Sequence, residues 1–374
     1  MISTEQKNER LLKLAAGDLN LIRISEKIIQ RERLSFSEGL TLYHAENREF
    51  LRALADYSRK EKCGDTVYYA STLFIHPTNL CELSCPMCSY YAKPGWETAW
   101  FFTPKQVMEK IQAVHPRGIN EIHVVGGLWR DCNLDYYEEL FTSIKAFDPK
   151  LHIKALTPVE YDFLAKHHQI PVEEVFKRMM SWGLGSMPGG GAEILVEKIR
   201  KQLAPQKITS EEYLEIHKIA HRLGLKGNIT MLFGHVEEPE DILTHLIKVR
   251  EVQDETGGFQ TFVPLKYHEE NNALGKRKNR LKHKEIRGVY ALSRLMLDNI
   301  RNLKVLWNYT GVESSLELLQ WGGNDLASTA FDEKIITMAG GVQVEMTEST
   351  MEKLILSIGR RPQKVHSGSN AQHG

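Results

Sequence analysis

Cys81, Cys85 and Cys88 stand in a Cys-x3-Cys-x2-Cys arrangement directly after an apolar stretch. Thiolates are the usual ligands of iron–sulfur clusters, and three at this spacing can serve three irons of a [4Fe-4S] cube while the fourth iron stays open. An open iron is a place for chemistry, because a small molecule can complete it. A structural zinc site needs four closed ligands, typically as two separated pairs. The other two of the five cysteines, Cys63 and Cys132, lie well away and form no such pair. On the residues alone, a zinc site and a chance grouping of reduced thiols stay open as alternatives.

A reactive triplet needs a rigid frame that turns it toward a cavity. From Thr66 onward, short apolar runs alternate with longer segments of helical period: TVYYASTLFI, EIHVVGG, HIKAL, LGSMPG, NITMLFG, FQTFVPL and KVLWNYT are the runs. Between them Thr103 is an expected N-cap with Pro104 at the first helical position. Thr209 with Glu212 fits a capping box before Tyr213, Ile216, Ala220 and Leu223. Seven strand–helix units and a possible eighth strand near 325–331 predict a parallel α/β barrel. Residues 1–65 read as N-terminal amphipathic helices, 66–335 as the barrel, and 336–374 as a C-terminal helical extension with a polar tail. A barrel carries its site at the carboxyl ends of its strands, and the triplet follows the first strand.

Composition bounds the partners. The 374 residues are 42% hydrophobic and 26% charged, which suits a large buried core. Forty-eight basic residues balance 48 acidic ones, so no general attraction to nucleic acid or to an anionic membrane is expected. The few clustered cysteines suit a reducing compartment, and neither a signal peptide nor a spanning segment is evident, so a cytoplasmic location is expected.

Several unusual residues fall at the predicted strand ends. Gly126 and Gly127 close the second strand. Ser186 to Glu193 read SMPGGGAE, where Gly189, Gly190 and Gly191 permit close backbone approach and N–H groups at a helix start favour anions or hydroxyls. No Gly-Lys-Ser/Thr follows, so this is not a Walker loop. Gly234, His235 and Glu237 end the fifth strand. Lys266 and His268 share one face of the sixth by the two-residue period, and both can meet a carboxylate. The plain alternatives are a turn, a flexible loop and a solvated Lys–His pair. His217 and His221 sit four apart on a predicted helix, but Lys-Ile-Ala between them departs from the HExxH zinc motif, and a structural role is expected. The run KRKNRLKHK at 276–284 suits an acidic electron carrier or nucleic acid, with a solvated loop as the default.

The triplet and these strand ends resemble the radical S-adenosylmethionine (SAM) enzymes. Further motifs are similar to those of the futalosine branch of menaquinone synthesis and its deazaflavin-synthase relatives: TNLCELSCPMC, GLGSMPGGGAEI, KITSEEYLEIHKIAH, TMLFGHVEEPED, QDETGGFQTFVPL, RLMLDNI and NDLASTAFDEKI. The resemblance runs from about residue 34 to 361, and KYHEENN and FDEKI look like the aminofutalosine synthase members. It implies a [4Fe-4S] cluster on Cys81, Cys85 and Cys88, with SAM completing the open iron as a consumed co-substrate. Gly126 and Gly127 would face the SAM amino group, and Met87 the adenine. Ser186, Gly189, Gly190, Gly191, Gly234, His235 and Glu237 would border the nucleoside. It also implies addition of the 5′-deoxyadenosyl radical to 3-[(1-carboxyvinyl)oxy]benzoate, an aromatic dicarboxylate, with a flavodoxin or ferredoxin as electron donor. Lys266, His268, Arg294 and the backbone of residues 189–191 are the expected partners of the carboxylates. The chain departs from the pattern at Lys266, Met87, Trp129 and Asn308-Tyr309. Rival readings are the hydrogen-abstracting cyclase of the same pathway, a cluster-binding sensor or electron carrier, and a barrel without activity.

Overall fold

The computed structural model describes residues 9, 11–15, 17–275, 283–341, 345–367 and 369. The first apolar run divides into β1 (Thr66–Ala70) and β2 (Thr72–Ile75). The break falls at Ser71, whose carbonyl accepts the N–H groups of Asn120 and Glu121 while its own N–H goes to Asn120 Oδ1. Strands β3 (Glu121–Val124), β4 (His152–Ala155), β5 (Leu184–Ser186), β6 (Gly227–Phe233), β7 (Phe259–Lys266), β8 (Asn302–Leu303) and β9 (Asp325–Ser328) follow, separated by helices.

Every strand pairing is parallel. β2, β3, β4 and β5 form one sheet, and β6, β7 and β8 a second, while β1 lies between β9 and β10 (Arg361–Lys364) in a third. Parallel bridges Met187–Gly227, Lys304–Asp325 and Leu73–Phe331 join the three, so the strands close into a ring in chain order. This is the expected parallel α/β barrel.

Helix starts follow the sequence chemistry. Thr103 and Gln106 form a capping box with Pro104 in the first turn, and Thr209 and Glu212 form another. The N-terminal helices Leu19–Ile29, Phe36–His44 and Arg48–Cys63 cover one flank. Arg48–Cys63 packs on the helix His283–Met296, burying Phe50, Leu51 and Leu54.

Two expectations are corrected. KVLWNYT is not a strand: β8 (Asn302–Leu303) ends just before it, Lys304 makes only an isolated bridge to Asp325, and Trp307–Thr310 is a helical turn with the Trp307 indole N–H donating to Ser328 O at 2.8 Å. Asn308 and Tyr309 therefore lie on that turn. The polar tail is not wholly irregular, because Arg361–Lys364 supplies β10, in register from Thr66–Arg361 to Tyr69–Lys364.

Inside the ring, polar side chains interrupt the bulky branched layers that usually fill such a barrel. A cavity of about 360 Å³ remains along the axis, with Thr72, Glu121, Lys154, Asn228, Thr230 and Lys304 among its lining.

Candidate active site

The cysteines lie on the long segment between β2 and the helix Pro104–Val114, which is folded back on itself by its own side chains. Asn79 donates to Thr98 O at 2.8 Å and accepts the Trp100 N–H at 2.8 Å. Thr78 Oγ1 donates to Trp100 O at 2.6 Å. The Lys93 ammonium donates to the carbonyls of Cys81, Glu82 and Leu83 at 2.8, 3.0 and 3.0 Å, which uses all three of its protons. His76 beneath the segment is buried and neutral, its pKa lowered to about 4 by burial, with Nδ1 3.0 Å from Val125 O.

Cys81, Cys85 and Cys88 line one cavity of about 90 Å³ together with Tyr90, Gly126, Gly127 and Leu128. The Leu128 N–H points at Cys81 Sγ, 3.4 Å away. Among the described residues, no three His, Cys, Asp or Glu groups converge as a single-ion site requires. Three thiols on one loop that share one cavity fit a cluster with one open iron, whereas a closed zinc site would want a fourth ligand. Burial pushes the Cys85 thiol up to about 11 and raises Cys88 as well, so without metal these groups are held as thiols. Lys207 opposes that shift. Its own pKa is raised because Glu193, at 2.6 Å, and the nearby cysteines outweigh the burial that disfavours its charge.

The central cavity shares Cys88, Tyr90, Gly126, Thr157, Glu160 and Lys207 with the cysteine cavity, so the two spaces adjoin. Met87, Gly189, Gly190, Gly191, Lys266 and His268 also line it, as expected from sequence. Gly189 packs where a Cβ would stand 2.6 Å from Asn228 O, and its carbonyl accepts the hydroxyls of Tyr213 and Thr230, each at 2.6 Å. His217 Nε2, 3.1 Å from the Tyr213 hydroxyl, buttresses that contact, while His221 bonds Thr256 at 2.7 Å. Both histidines are structural, as expected. His268 Nε2 donates to Tyr309 O at 3.0 Å, and its pKa is lowered first by burial and then by Lys266. Among the described residues Lys266 has no carboxylate partner.

Five expected site residues lie elsewhere. Ser186 Oγ turns to His152 Nε2 at 2.7 Å, and that ring stacks on His366, away from the cysteine loop. Gly234, His235 and Glu237 close a turn of their own: the Glu237 carboxylate accepts the N–H groups of Gly234 and His235, and His235 accepts the Val236 N–H on Nδ1 and donates from Nε2 to Leu232 O. None of the three borders either cavity. Arg294 is fully buried and donates to Gly322 O, Arg301 O and Asn324 Oδ1 at 2.7, 2.8 and 2.8 Å. Those acceptors precede β8 and β9, at the end of the ring opposite the cysteines. The basic run 276–284 lies outside the described residues except for the helix start at His283.

Sequence reading missed Glu160. It borders both cavities, and its carboxylate accepts the Gly126 N–H at 3.0 Å and the Thr157 N–H at 2.7 Å, while burial raises its pKa to about 7. Its only sequence signal, Thr-Pro-x-Glu, is that of an ordinary capping box. Also missed were the ion pairs Lys154–Glu121 at 2.5 Å and Lys304–Asp325 at 2.7 Å, scattered over strands whose alternation was read as barrel wall.

A parallel barrel whose cysteine loop adjoins the axial cavity defines a class, and comparison with known proteins agrees with it. Residues 75–247 match the Radical SAM superfamily model, and residues 256–370 match the CofH/MqnC C-terminal region. The chain belongs to the radical SAM superfamily, in the group that includes aminodeoxyfutalosine synthase; it is an enzyme that uses a [4Fe-4S] cluster and SAM. It is 35% identical over 350 residues to aminodeoxyfutalosine synthase of Thermus thermophilus, spanning 92% of this chain and 94% of that protein. It is also 33% identical over 355 residues to the 5-amino-6-(D-ribitylamino)uracil–L-tyrosine 4-hydroxyphenyl transferase of Methanococcus maripaludis, spanning 92% and 98%. Among solved structures, methylornithine synthase shares the fold with a TM-score of 0.73 at 14% identity, spanning 91% of this chain and 97% of that one. No helix among the described residues is long and apolar enough to cross a membrane.

Proposed function

We propose that this enzyme joins the 5′-deoxyadenosyl group of SAM to the vinyl carbon of 3-[(1-carboxyvinyl)oxy]benzoate, with loss of a carboxyl group as bicarbonate or CO2, to give 6-amino-6-deoxyfutalosine. The observation that carries this reading is the axial cavity itself, which runs from Cys88 to His268 and to Lys266, a cation with no carboxylate partner among the described residues. An aromatic acid needs this combination of apolar wall and separated cation, and Phe74, Val125, Val263 and Leu306 are part of the wall. Similarity to aminodeoxyfutalosine synthase over nearly the whole chain supports it.

When bound to Cys81, Cys85 and Cys88, the cluster supplies the electron that splits SAM into methionine and the adenosyl radical. The chain's own residues do the holding. Gly126 and Gly127 let backbone approach the methionine end, Met87 covers the adenine, and the backbone of Gly189 to Gly191 borders the ribose. Glu160, between the two spaces, orients Gly126. Lys266, with His268 beside it, meets a substrate carboxylate through a charge-assisted hydrogen bond. The enclosed barrel keeps water from the reacting carbons and fixes their approach. A flavodoxin or ferredoxin is the proposed reductant.

The second reading is the 4-hydroxyphenyl transfer named for the methanogen relatives, favoured by their nearly equal identity. Offering the reduced enzyme and SAM either the enol-ether benzoate or L-tyrosine with 5-amino-6-(D-ribitylamino)uracil separates the two. Consumption of the benzoate alone is expected; consumption of tyrosine alone would transfer the assignment to the second reaction.

A further inference from the structure

With Arg294 at the far end of the ring, Lys266 and His268 leave the second carboxylate of the proposed substrate without a cationic partner. Two other cations face the same cavity from deeper in the barrel. Lys154 on β4 uses two of its three protons, on Glu121 Oε1 at 2.5 Å and on Ser367 Oγ at 3.1 Å. Lys304, directly after β8, pairs with Asp325 Oδ2 at 2.7 Å. Ammonium groups carry three donors, so each retains at least one. Burial lowers the pKa of Lys154, Lys304 lowers it further, and Glu121 and Asp325 oppose that shift.

Their depth follows from register. The Lys304 N–H donates to Phe262 O, which sets Lys304 level with Val263, and Lys266 stands three residues further along β7. At strand rise this separates the backbone of the two levels by roughly 10 Å, which suits the two ends of one aromatic dicarboxylate and not a single carboxylate. Lys304 and Asn228 also border a smaller cavity of about 130 Å³ at the opposite end, beside Val365, His366 and Ser367 of the C-terminal segment. That segment holds the floor in place: the Ser367 N–H donates to Glu121 Oε2 at 2.7 Å, and the Val365 N–H donates to Tyr69 O at 2.8 Å.

We propose that Lys154 and Lys304 form an anion subsite on the cavity floor that holds the ring carboxylate of the substrate, while Lys266 and His268 hold the vinyl carboxylate at the mouth. The assignment rests on the benzoate reading above. Glu121 and Asp325 balance the charge of the two ammonium groups and orient them, and Ser367 is a positioning residue for Lys154.

The test is calorimetric binding to the cluster-loaded enzyme with SAM and no reductant. The ligands are the enol-ether benzoate and 2-phenoxyacrylate, which lacks only the ring carboxylate. The unaltered enzyme should bind the first at least about tenfold more tightly, as expected for a charge-assisted contact. Lys304→Gln should remove that advantage and leave 2-phenoxyacrylate binding unchanged. Lys154→Gln with Glu121→Gln keeps the charge balanced and should do the same, as should Lys304→Gln with Asp325→Asn if the single variant fails to fold. Equal losses on both ligands, or no loss on either, would overturn the subsite. Product formation from the benzoate by the unaltered enzyme decides the other question. Product together with undifferentiated binding rejects the subsite alone, whereas no adenosylated product rejects the benzoate reading and the subsite with it.

Discussion

Gly127 lies so close to the Leu80 carbonyl that a Cβ would overlap its oxygen, and Leu80 is the residue before the first cysteine. The N–H of Gly127 also donates to Thr78 O at 2.9 Å. The end of β3 is thus the surface on which the cysteine loop rests. Gly127→Ala must displace that loop, at a cost of about 1–3 kcal/mol for an overpacked contact. The expected result is a folded protein, by far-ultraviolet circular dichroism, that retains less than half the iron and sulfide of the parent after anaerobic reconstitution, roughly in keeping with that cost.

Cysteine variants should divide into two groups. Cys81→Ala, Cys85→Ala and Cys88→Ala are each expected to lose the visible absorbance of the cluster. Cys63 and Cys132 are buried outside the cysteine cavity, with Cys63 Sγ accepting from Asn324 at 3.1 Å. Alanine at either position should leave iron content unchanged and lower only the thermal midpoint.

Arg294 and Lys266 should fail in opposite ways. Arg294→Ala strips the buried Gly322 O of its donor and leaves Asn324 Oδ1 and Arg301 O with only the Leu303 N–H and the Cys63 thiol, so it is expected to cost about 3 kcal/mol in stability, with substrate KM unchanged in whatever protein folds. Lys266→Ala removes a half-buried cation with no ion pair among the described residues. Its stability should change by no more than about 0.5 kcal/mol, while KM for the dicarboxylate rises about tenfold. Denaturation midpoints and steady-state kinetics on both variants check the contrast.

Glu160 gives a pH dependence. Its pKa is raised from 4.5 to about 7, chiefly by burial, so the folded chain holds this proton after the unfolded chain has released it. Its contribution to stability is therefore fully present below about 4.5 and declines as pH rises through 7, by ~3 kcal/mol at most. Glu160→Gln cannot ionise. Relative to the parent, it should be more stable at pH 8 than at pH 5, measured by thermal midpoints of the two proteins across that range.

The cysteine triplet and the strand series were legible because both are local: spacing defines the first and alternation the second. Trp307 to Thr310 misled, since an aromatic, β-rich run carries the same composition whether it extends a strand or tucks an indole under Ser328. Arg361 to Lys364 was hidden for the converse reason. Its residues are largely exposed and pair with β1 through backbone and one polar contact, Arg361 to Thr66 Oγ1 at 2.8 Å, which leaves no apolar signature. Arg294 was read correctly as a cation and wrongly as a ligand, because only the tertiary fold sets which end of the ring it serves. Glu160 and the paired lysines of the floor needed strands far apart in sequence to be brought face to face.

SAM labelled in its adenosyl ribose, turned over anaerobically with reductant and 3-[(1-carboxyvinyl)oxy]benzoate, bears most directly on the central claim. The predicted result is one product whose mass contains the labelled adenosyl group joined to the aromatic unit, formed in step with methionine. Label recovered only as free 5′-deoxyadenosine, with the benzoate unconsumed, would contradict it.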